Sequence, residues 1–468
     1  MNLTLKIVTT LSLLLGWGAF VNAQTDYKKQ VDDIASVASE LMGFNGTVLI
    51  ANSDGVIYQR SFGFADKGKL IDLTPDYRFS PGSVTKEFTT VALMMLKKQG
   101  KINYDDNVSK YLSNLPAWSS TITIEQILTH TSGLGEIKYS RNITTADVIK
   151  QINAVEKLKY KPGEGYSYGN LNVVLRALII EKITGQSFKT FIKESLFVPA
   201  GMMSTFGRDK LTSTDPLIAF GAIPLAINGV TAYTTALDLY KWEKALWNNV
   251  LVSKDTLTKV ILKPGLSGSS NRAYFDFGFF NKNKNGDLVE IWHDGTYPQH
   301  YTFKSVDFDK DLFIVLLSSD GRKSTLSELR DYISNISDNQ TLKIPAVWWL
   351  TNEIKSNGFA AAIKKYKGLV ERGDFVANES SLNSFGYDLN SNDQPDEALA
   401  IMKLNVEFHS QSENAYDSYA ELLIDAKKYT EAQPIVERGI ALAQNSDNQF
   451  ILGRLEEFLK EIRKIDSK

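Results

Sequence analysis

Three short stretches carry residue types able to move protons and acyl groups. The first is Phe79-Ser80-Pro81-Gly82-Ser83-Val84-Thr85-Lys86. Pro81-Gly82 interrupts the chain, and the residues after Glu87 (Phe88, Val91, Ala92, Leu93, Met94, Met95, Leu96) are apolar on nearly every side until Gly100. That pattern predicts a fully buried helix with Ser83 in its first turn. Ser83 and Lys86 are then i and i+3, on one face and within reach of each other. A serine hydroxyl is a weak nucleophile until a neighbouring base takes its proton. A lysine can be that base where burial and the positive end of a helix disfavour its ammonium form. The same helix N-terminus would stabilise the oxyanion formed on attack. Taken alone, a Ser-x-x-Lys pair reads more readily as a helix cap beside a solvated lysine.

The second stretch is Tyr168-Gly169-Asn170, after Lys161-Pro162-Gly163 and before a helix expected from Leu171. A phenol beside a neutral lysine can relay the serine proton to a leaving group, and the asparagine amide can bridge the lysine and a substrate carbonyl. The third is His293-Asp294-Gly295-Thr296, at the end of an expected strand. Gly295 would let a substrate lie against the strand backbone, and the Thr296 N–H is a candidate second oxyanion donor beside that of Ser83. Read singly, Asn170 is an ordinary helix entry and His293 a structural residue. Glu164, near the second stretch, reads as a surface loop residue.

The elements that must position these residues follow from hydrophobic period. Asp32–Met42 reads as a short amphipathic helix. Gly46–Asn52 and Val56–Phe62 read as strands around the Ser53-Asp54-Gly55 turn. Tyr274–Asn281 and Asp287–His293 flank Asn285-Gly286, and Tyr301–Val306 and Leu312–Ser318 follow. This grammar predicts an α+β domain: an antiparallel sheet of about five strands closed from both ends of the domain, with a helical lobe inserted. The clearest helices of that lobe are Glu87–Lys98, Ile124–Leu128, Leu171–Thr184 and Thr235–Trp247. The chemistry-bearing stretches fall where lobe and sheet should meet, and clefts between lobes are common ligand sites.

In this order and separation the three stretches resemble those of serine β-lactamases, penicillin-binding D,D-peptidases and related esterases, in particular the class C branch, over roughly Asp32–Ser334. Leu128-Thr129-His130-Thr131-Ser132-Gly133-Leu134, Phe197-Val198-Pro199-Ala200-Gly201-Met202 and Tyr233-Thr234-Thr235-Ala236-Leu237-Asp238-Leu239 also match. The resemblance implies Ser83 as nucleophile, Lys86 and Tyr168 as the base and acid pair, Asn170 as a ligand of substrate and lysine, and His293 as the third-motif residue. It implies an amide or ester substrate: a D,D-peptidase, D-amino-acid amidase or esterase. Two departures point away from an efficient β-lactamase. His293 stands where most β-lactamases have lysine, and Pro298-Gln299-His300 replaces the usual glycines and is expected to crowd the cleft wall. The rival reading is a non-catalytic penicillin-binding or peptide-sensing protein of the same fold.

Composition narrows the rest. A chain of 468 residues implies two or three domains. With a net charge of −2, nothing global recruits nucleic acid or an anionic membrane. There are no cysteines, which excludes disulfides, thiolate metal sites and a cysteine nucleophile. No two of the four histidines are spaced i, i+4 as a helical zinc pair is, so neither metal nor cofactor is expected. Lys6, the apolar run Ile7–Phe20 and the small residues to Ala23 read as a cleaved leader, residues 1–23. It implies a periplasmic or secreted protein without a lasting membrane anchor.

After a catalytic domain over 24–340, residues 345–468 read as helices only. Phe385 and Tyr419, Ala398 and Ala432, and Asn414 and Asn448 are each 34 apart, the tetratricopeptide period. The tail resembles the extension carried by many such proteins. It is expected to pack on the catalytic domain through Trp348, Trp349, Leu350 and Phe359, and to support the fold or offer a surface to a peptide or protein partner.

Overall fold

The computed structural model describes residues 23–466 apart from 141–142, 208–217, 221–226, 268, 320–322, 337–345 and 447. Residues 1–22 of the expected leader and the expected boundary near residue 340 lie outside them. One antiparallel sheet organises the first part of the chain. Its strands are β1 (Gly46–Ala51), β2 (Val56–Phe62), β3 (Phe279–Lys282), β4 (Leu288–Tyr297), β5 (His300–Asp307) and β6 (Leu312–Ser318), in the order β2-β1-β6-β5-β4-β3. The N-terminal hairpin therefore joins the late strands through β1 and β6.

Each of the six stretches read as strands forms one, against a stated total of about five, and two differ clearly in extent. β3 is shorter because the segment before it closes on itself: the Ala273 N–H donates to the Gly278 carbonyl, and Gly278 takes a left-handed φ of +79°. β4 is longer because its register with β5 continues to Tyr297↔His300, leaving only Pro298-Gln299 as the turn. His293 consequently lies inside a strand, not at its end.

Period-2 alternation assigns the sheet two cores. Leu49, Ala51, Val315 and Leu317 face a large cluster with the helical lobe. Val48, Ile50, Ile314 and Leu316 face a second cluster on the other side, and β1 and β6 are buried throughout. Burying each such aliphatic side chain is worth about 1.5–3 kcal/mol relative to exposure. The second cluster is closed by helices α1 (Ala23–Met42) and, late in the chain, Lys323–Ile336. The first is closed by α2 (Thr85–Lys98), α3 (Asn170–Thr184) and α4 (Ala236–Trp247). Both α2 and α3 are buried over most of their length, as a helix apolar on all sides must be.

The tail is helical. α5 (Glu379–Ser391) and α6 (Pro395–Phe408) are followed by α7 (Glu413–Asp425) and α8 (Tyr429–Asn445). Corresponding helices start 413 − 379 = 34 and 429 − 395 = 34 residues apart. The small Ala398 and Ala432 are fully buried where the helices touch. Of the four residues expected to dock the tail, only Trp348 enters the sheet's second core. Leu350, with Trp349 and Phe359 packed beside it, belongs to a separate tail cluster around Tyr366 and Phe385. Neighbours on one helix turn point about 100° apart, so Trp348 and its neighbours cannot serve the same surface.

Candidate active site

Ser83 lies in a single 3₁₀ turn, Gly82–Val84, that runs directly into α2 at Thr85. The turn is held from outside the motif. Buried His300 accepts the Ser80 N–H at Nδ1 (2.8 Å) and donates from Nε2 to the Phe220 carbonyl (2.8 Å). His300 therefore does not crowd the cleft, as the sequence had led us to expect; strand alternation turns it inward, where it pins the segment before Ser83.

Ser83, Lys86 and Tyr168 converge. Lys86 Nζ is 3.2 Å from Ser83 Oγ, and the Tyr168 hydroxyl is 2.9 Å from the same oxygen. Lys86 Nζ also sits 4.8 Å from the centre of the Tyr168 ring. Burial of Lys86 pushes its pKa down from 10.5 to about 8, with Asp276 opposing the fall and Arg176 adding to it. A neutral amine is thereby accessible near physiological pH. Burial moves the Tyr168 phenol the other way, far above its ordinary range, so it stays protonated and can pass a proton without holding a charge.

Tyr168 is placed by a buried polar network. Its ring leans on His130, centroids 4.7 Å apart. His130 has a left-handed φ of 56°, a strained conformation for a residue with a side chain. It is held there because its Nδ1 accepts from Gly169 N–H and Asn172 Nδ2, both at 3.3 Å, so that its Nε2 carries the proton toward the Asp276 carboxylate at 2.9 Å. Asp276 also pairs with the fully buried Arg176 at 2.6 Å, and its carboxyl lies well below the usual range, since His130 and Arg176 outweigh its desolvation. Gly169 must lack a side chain: a Cβ there would fall 2.2 Å from the Gly135 carbonyl oxygen.

The third stretch approaches Ser83 from the sheet. Just past β5, the Phe308 N–H donates to the Val289 carbonyl, so odd positions of β4 turn their backbone groups toward β5. Unbroken pairing from Glu290 to Tyr297 carries this alternation forward and points the Thr296 N–H to the outer edge. β3 covers that edge only as far as Trp292. Beyond it, β4 meets the serine turn at backbone distance. A Cβ on Gly295 would lie 2.0 Å from the Pro81 carbonyl oxygen, and one on Gly82 would lie 2.5 Å from the Thr296 nitrogen. The backbone nitrogens of Ser83 and Thr296 are thus brought close to one another, as a pair of oxyanion donors must be.

Two expected residues sit differently. Asn170 does not bond Lys86. Its Nδ2 donates to Glu136 Oε2 (3.2 Å) and the Tyr139 hydroxyl (2.8 Å), and its buried Oδ1 has no partner. His293 is buried, with Nδ1 donating to the Asp294 carbonyl at 2.6 Å. Burial and the neighbouring Lys304 push its pKa down to about 4, further than a histidine at its ordinary value implied. Glu164 is on an exposed loop with Lys161. Among the described residues no group of three or more His, Asp or Glu is arranged to hold a metal.

Asp276, Arg176, Arg272 and Glu136 were not singled out from the sequence. His130 stood in a stretch that had attracted attention, and His300 was noticed but given a different role. The others carry no local pattern, because their partners are distant in the chain.

The Beta-lactamase family model matches residues 34–335. A putative penicillin-binding protein of Bacillus subtilis, PbpX, is 31% identical over 264 residues, 53% of this chain and 66% of that protein, so the chain spans just under two thirds of it. Protein flp of Staphylococcus aureus is 28% identical over 63% of both chains. Among solved structures, the octameric penicillin-binding protein homologue of Pyrococcus abyssi superposes with a TM-score of 0.58 at 23% identity, covering 67% of this chain and 77% of that one. A D-amino acid amidase of Ochrobactrum anthropi does so with 0.56 at 20% identity, covering 67% and 99%. These last two show a shared fold. With the family model spanning the sheet, the helical lobe and the Ser83–Lys86–Tyr168 cluster, this chain belongs to the β-lactamase family, among the homologues of penicillin-binding proteins.

Proposed function

We propose that the protein is an exported serine hydrolase that transfers the acyl group of an amide or ester to Ser83 and then to water. The observation that carries this reading is the convergence of Lys86 Nζ and the Tyr168 hydroxyl on Ser83 Oγ, at 3.2 and 2.9 Å. Neutral Lys86 takes the serine proton as Oγ attacks the carbonyl carbon. The Ser83 and Thr296 N–H groups receive the oxyanion. Tyr168 delivers a proton to the departing nitrogen or oxygen, and Lys86 recovers its neutral form through Tyr168. Water then attacks the ester by the reverse relay. An amide or ester instead of a β-lactam is favoured by the neutral, buried His293 of the third motif, and the D-amino acid amidase of the same fold is compatible with it. Export rests on the apolar leader of residues 1–23. A fluorophosphonate probe should label the wild-type protein and not Ser83→Ala; equal labelling of both would refute the assignment.

A further inference from the structure

This inference rests on the serine-hydrolase reading and concerns what the cleft selects. Two ionic groups near Tyr168 and Asn170 have no ionic partner among the described residues. The half-buried Arg272 guanidinium lies 4.7 Å from the Phe279 ring centre and 5.8 Å from those of Tyr166 and Tyr168. It makes no hydrogen bond or ion pair with any described residue. Arg272 and Tyr166 line a small open pocket beside the site together with Asp276, whose carboxylate is taken up by Arg176 and His130, and the buried Tyr166 hydroxyl has no hydrogen-bond partner. A cation and a spare donor on one wall are the equipment for a carboxylate. The third motif cannot provide this, because His293 is neutral.

At the second group the signs are reversed. Glu136 is clamped by amide donors, Oε1 by the N–H groups of Ile137 (2.7 Å) and Asn170 (3.1 Å), and Oε2 by Asn170 Nδ2 (3.2 Å). No lysine, arginine or histidine among the described residues comes within ion-pair distance of it. Beside it lies the unpartnered Asn170 Oδ1. An anion and a spare acceptor are the equipment for an ammonium group.

The chemistry orders the two ends. Tyr168 protonates the leaving nitrogen, so the leaving half of the substrate lies toward the ring of Tyr168 and hence toward Arg272. The acyl half lies toward Asn170 and Glu136. We propose that the site takes short peptides with both ends free, dipeptides above all, holding the carboxylate of the leaving residue at Arg272 and Tyr166 and the ammonium of the acyl residue at Glu136 and Asn170. The Ser83 Oγ–C bond forms as the C–N bond breaks, and the serine proton reaches the leaving amine. One water then releases the second amino acid and returns the proton to Ser83.

The test uses the full chain and the four stereoisomers of Ala-Ala, each free, N-acetylated or C-terminally amidated. For the stereoisomer cleaved best, blocking either end should lower kcat/KM by about 10–100-fold, the worth of one charge-assisted contact. Arg272→Gln should erase the preference for the free carboxylate and keep that for the free ammonium; Glu136→Gln should do the opposite. Because each variant is read as a ratio between substrates, a general loss of rate does not mimic the result. Probe labelling of Ser83 together with equal cleavage of free and blocked peptides, or with no cleavage of either, overturns the proposal and leaves the hydrolase reading standing. A ratio that moves in only one variant overturns the two-ended form. Absence of labelling removes the hydrolase reading and this inference with it.

Discussion

His293 on β4 stands directly opposite Lys304 on β5, and both side chains are buried on the sheet face that carries the site. Lys304 is held charged by Glu87 at 2.9 Å and by Glu243 in closer contact, while Trp242 and Trp247 donate to those carboxylates at 2.7 and 2.9 Å. Its charge helps keep His293 neutral. The third motif therefore carries a buried, uncharged imidazole, with the cation one strand back and neutralised.

From this relationship we expect poor β-lactam turnover. Small p-nitrophenyl esters should be hydrolysed faster than nitrocefin by the same preparation. His293→Lys should not restore activity on nitrocefin, because it places a second ammonium against Lys304 and should cost about 3–5 kcal/mol of stability. Nitrocefin turnover at the ~10⁴–10⁸ M⁻¹s⁻¹ of ordinary enzymes would contradict the argument.

The position of Lys86 sets a pH profile. With its pKa at about 8 in the folded protein against 10.5 ordinarily, the ammonium predominates below pH 8 and cannot accept the Ser83 proton. The rate of probe labelling should climb with pH through about 8 and then level off. Lys86→Ala should slow it by a factor on the order of 10²–10⁴ and leave no such inflection. A flat profile in the wild type would exclude lysine as the base.

Gly295 should tolerate no side chain. Its Cβ would meet the Pro81 carbonyl oxygen at 2.0 Å and the Ser83 nitrogen at 2.9 Å, so Gly295→Ala must push β4 away from the serine turn. We expect a loss of labelling of about 10² or more, the scale of a lost oxyanion donor. Gly453→Ala, whose Cβ meets nothing within 4 Å in the last helix, is the matched control and should raise stability by about 0.5–1 kcal/mol. Equal labelling of the two variants would disprove the close approach.

Asp276 should matter to folding and to rate together. Asp276→Asn leaves the fully buried Arg176 without its carboxylate, and leaves a single amide oxygen to accept from both Arg176 and His130. A loss of about 3–5 kcal/mol is expected in denaturant unfolding. Labelling should also slow, since Tyr168 rests on His130. A change under about 1 kcal/mol would show that the pair is dispensable.

Trp348 should couple the tail to the sheet domain. It is fully buried in the cluster that contains Val48, Ile314 and Leu316. Trp348→Ala should cost about 3–5 kcal/mol, and a chain ending near Ser337 should keep Ser83 labelling but melt lower and tend to aggregate. If both melt like the full chain, the tail is an independent unit.

Some of this was determined by the sequence alone, because it depends on neighbours in the chain. The i, i+3 spacing puts Ser83 and Lys86 on one helical face wherever that helix lies. The all-round apolar residues of α2 and α3 require burial, and the 34-residue offset recurs in the helix starts of the tail because each repeat is a local unit. What needed the tertiary structure depends on partners far apart in sequence. Asp276 meets Arg176 and His130 only after the lobe closes on the sheet. His300 reaches Ser80, and Lys304 reaches Glu87 and Glu243, through a strand register that local periodicity does not specify. The charge of His293 and the affinity of Lys86 for its proton follow from desolvation, a property of the surrounding volume. So does the lack of an ionic partner for Arg272 and Glu136 among the described residues, since what a charged group lacks is decided by everything folded around it.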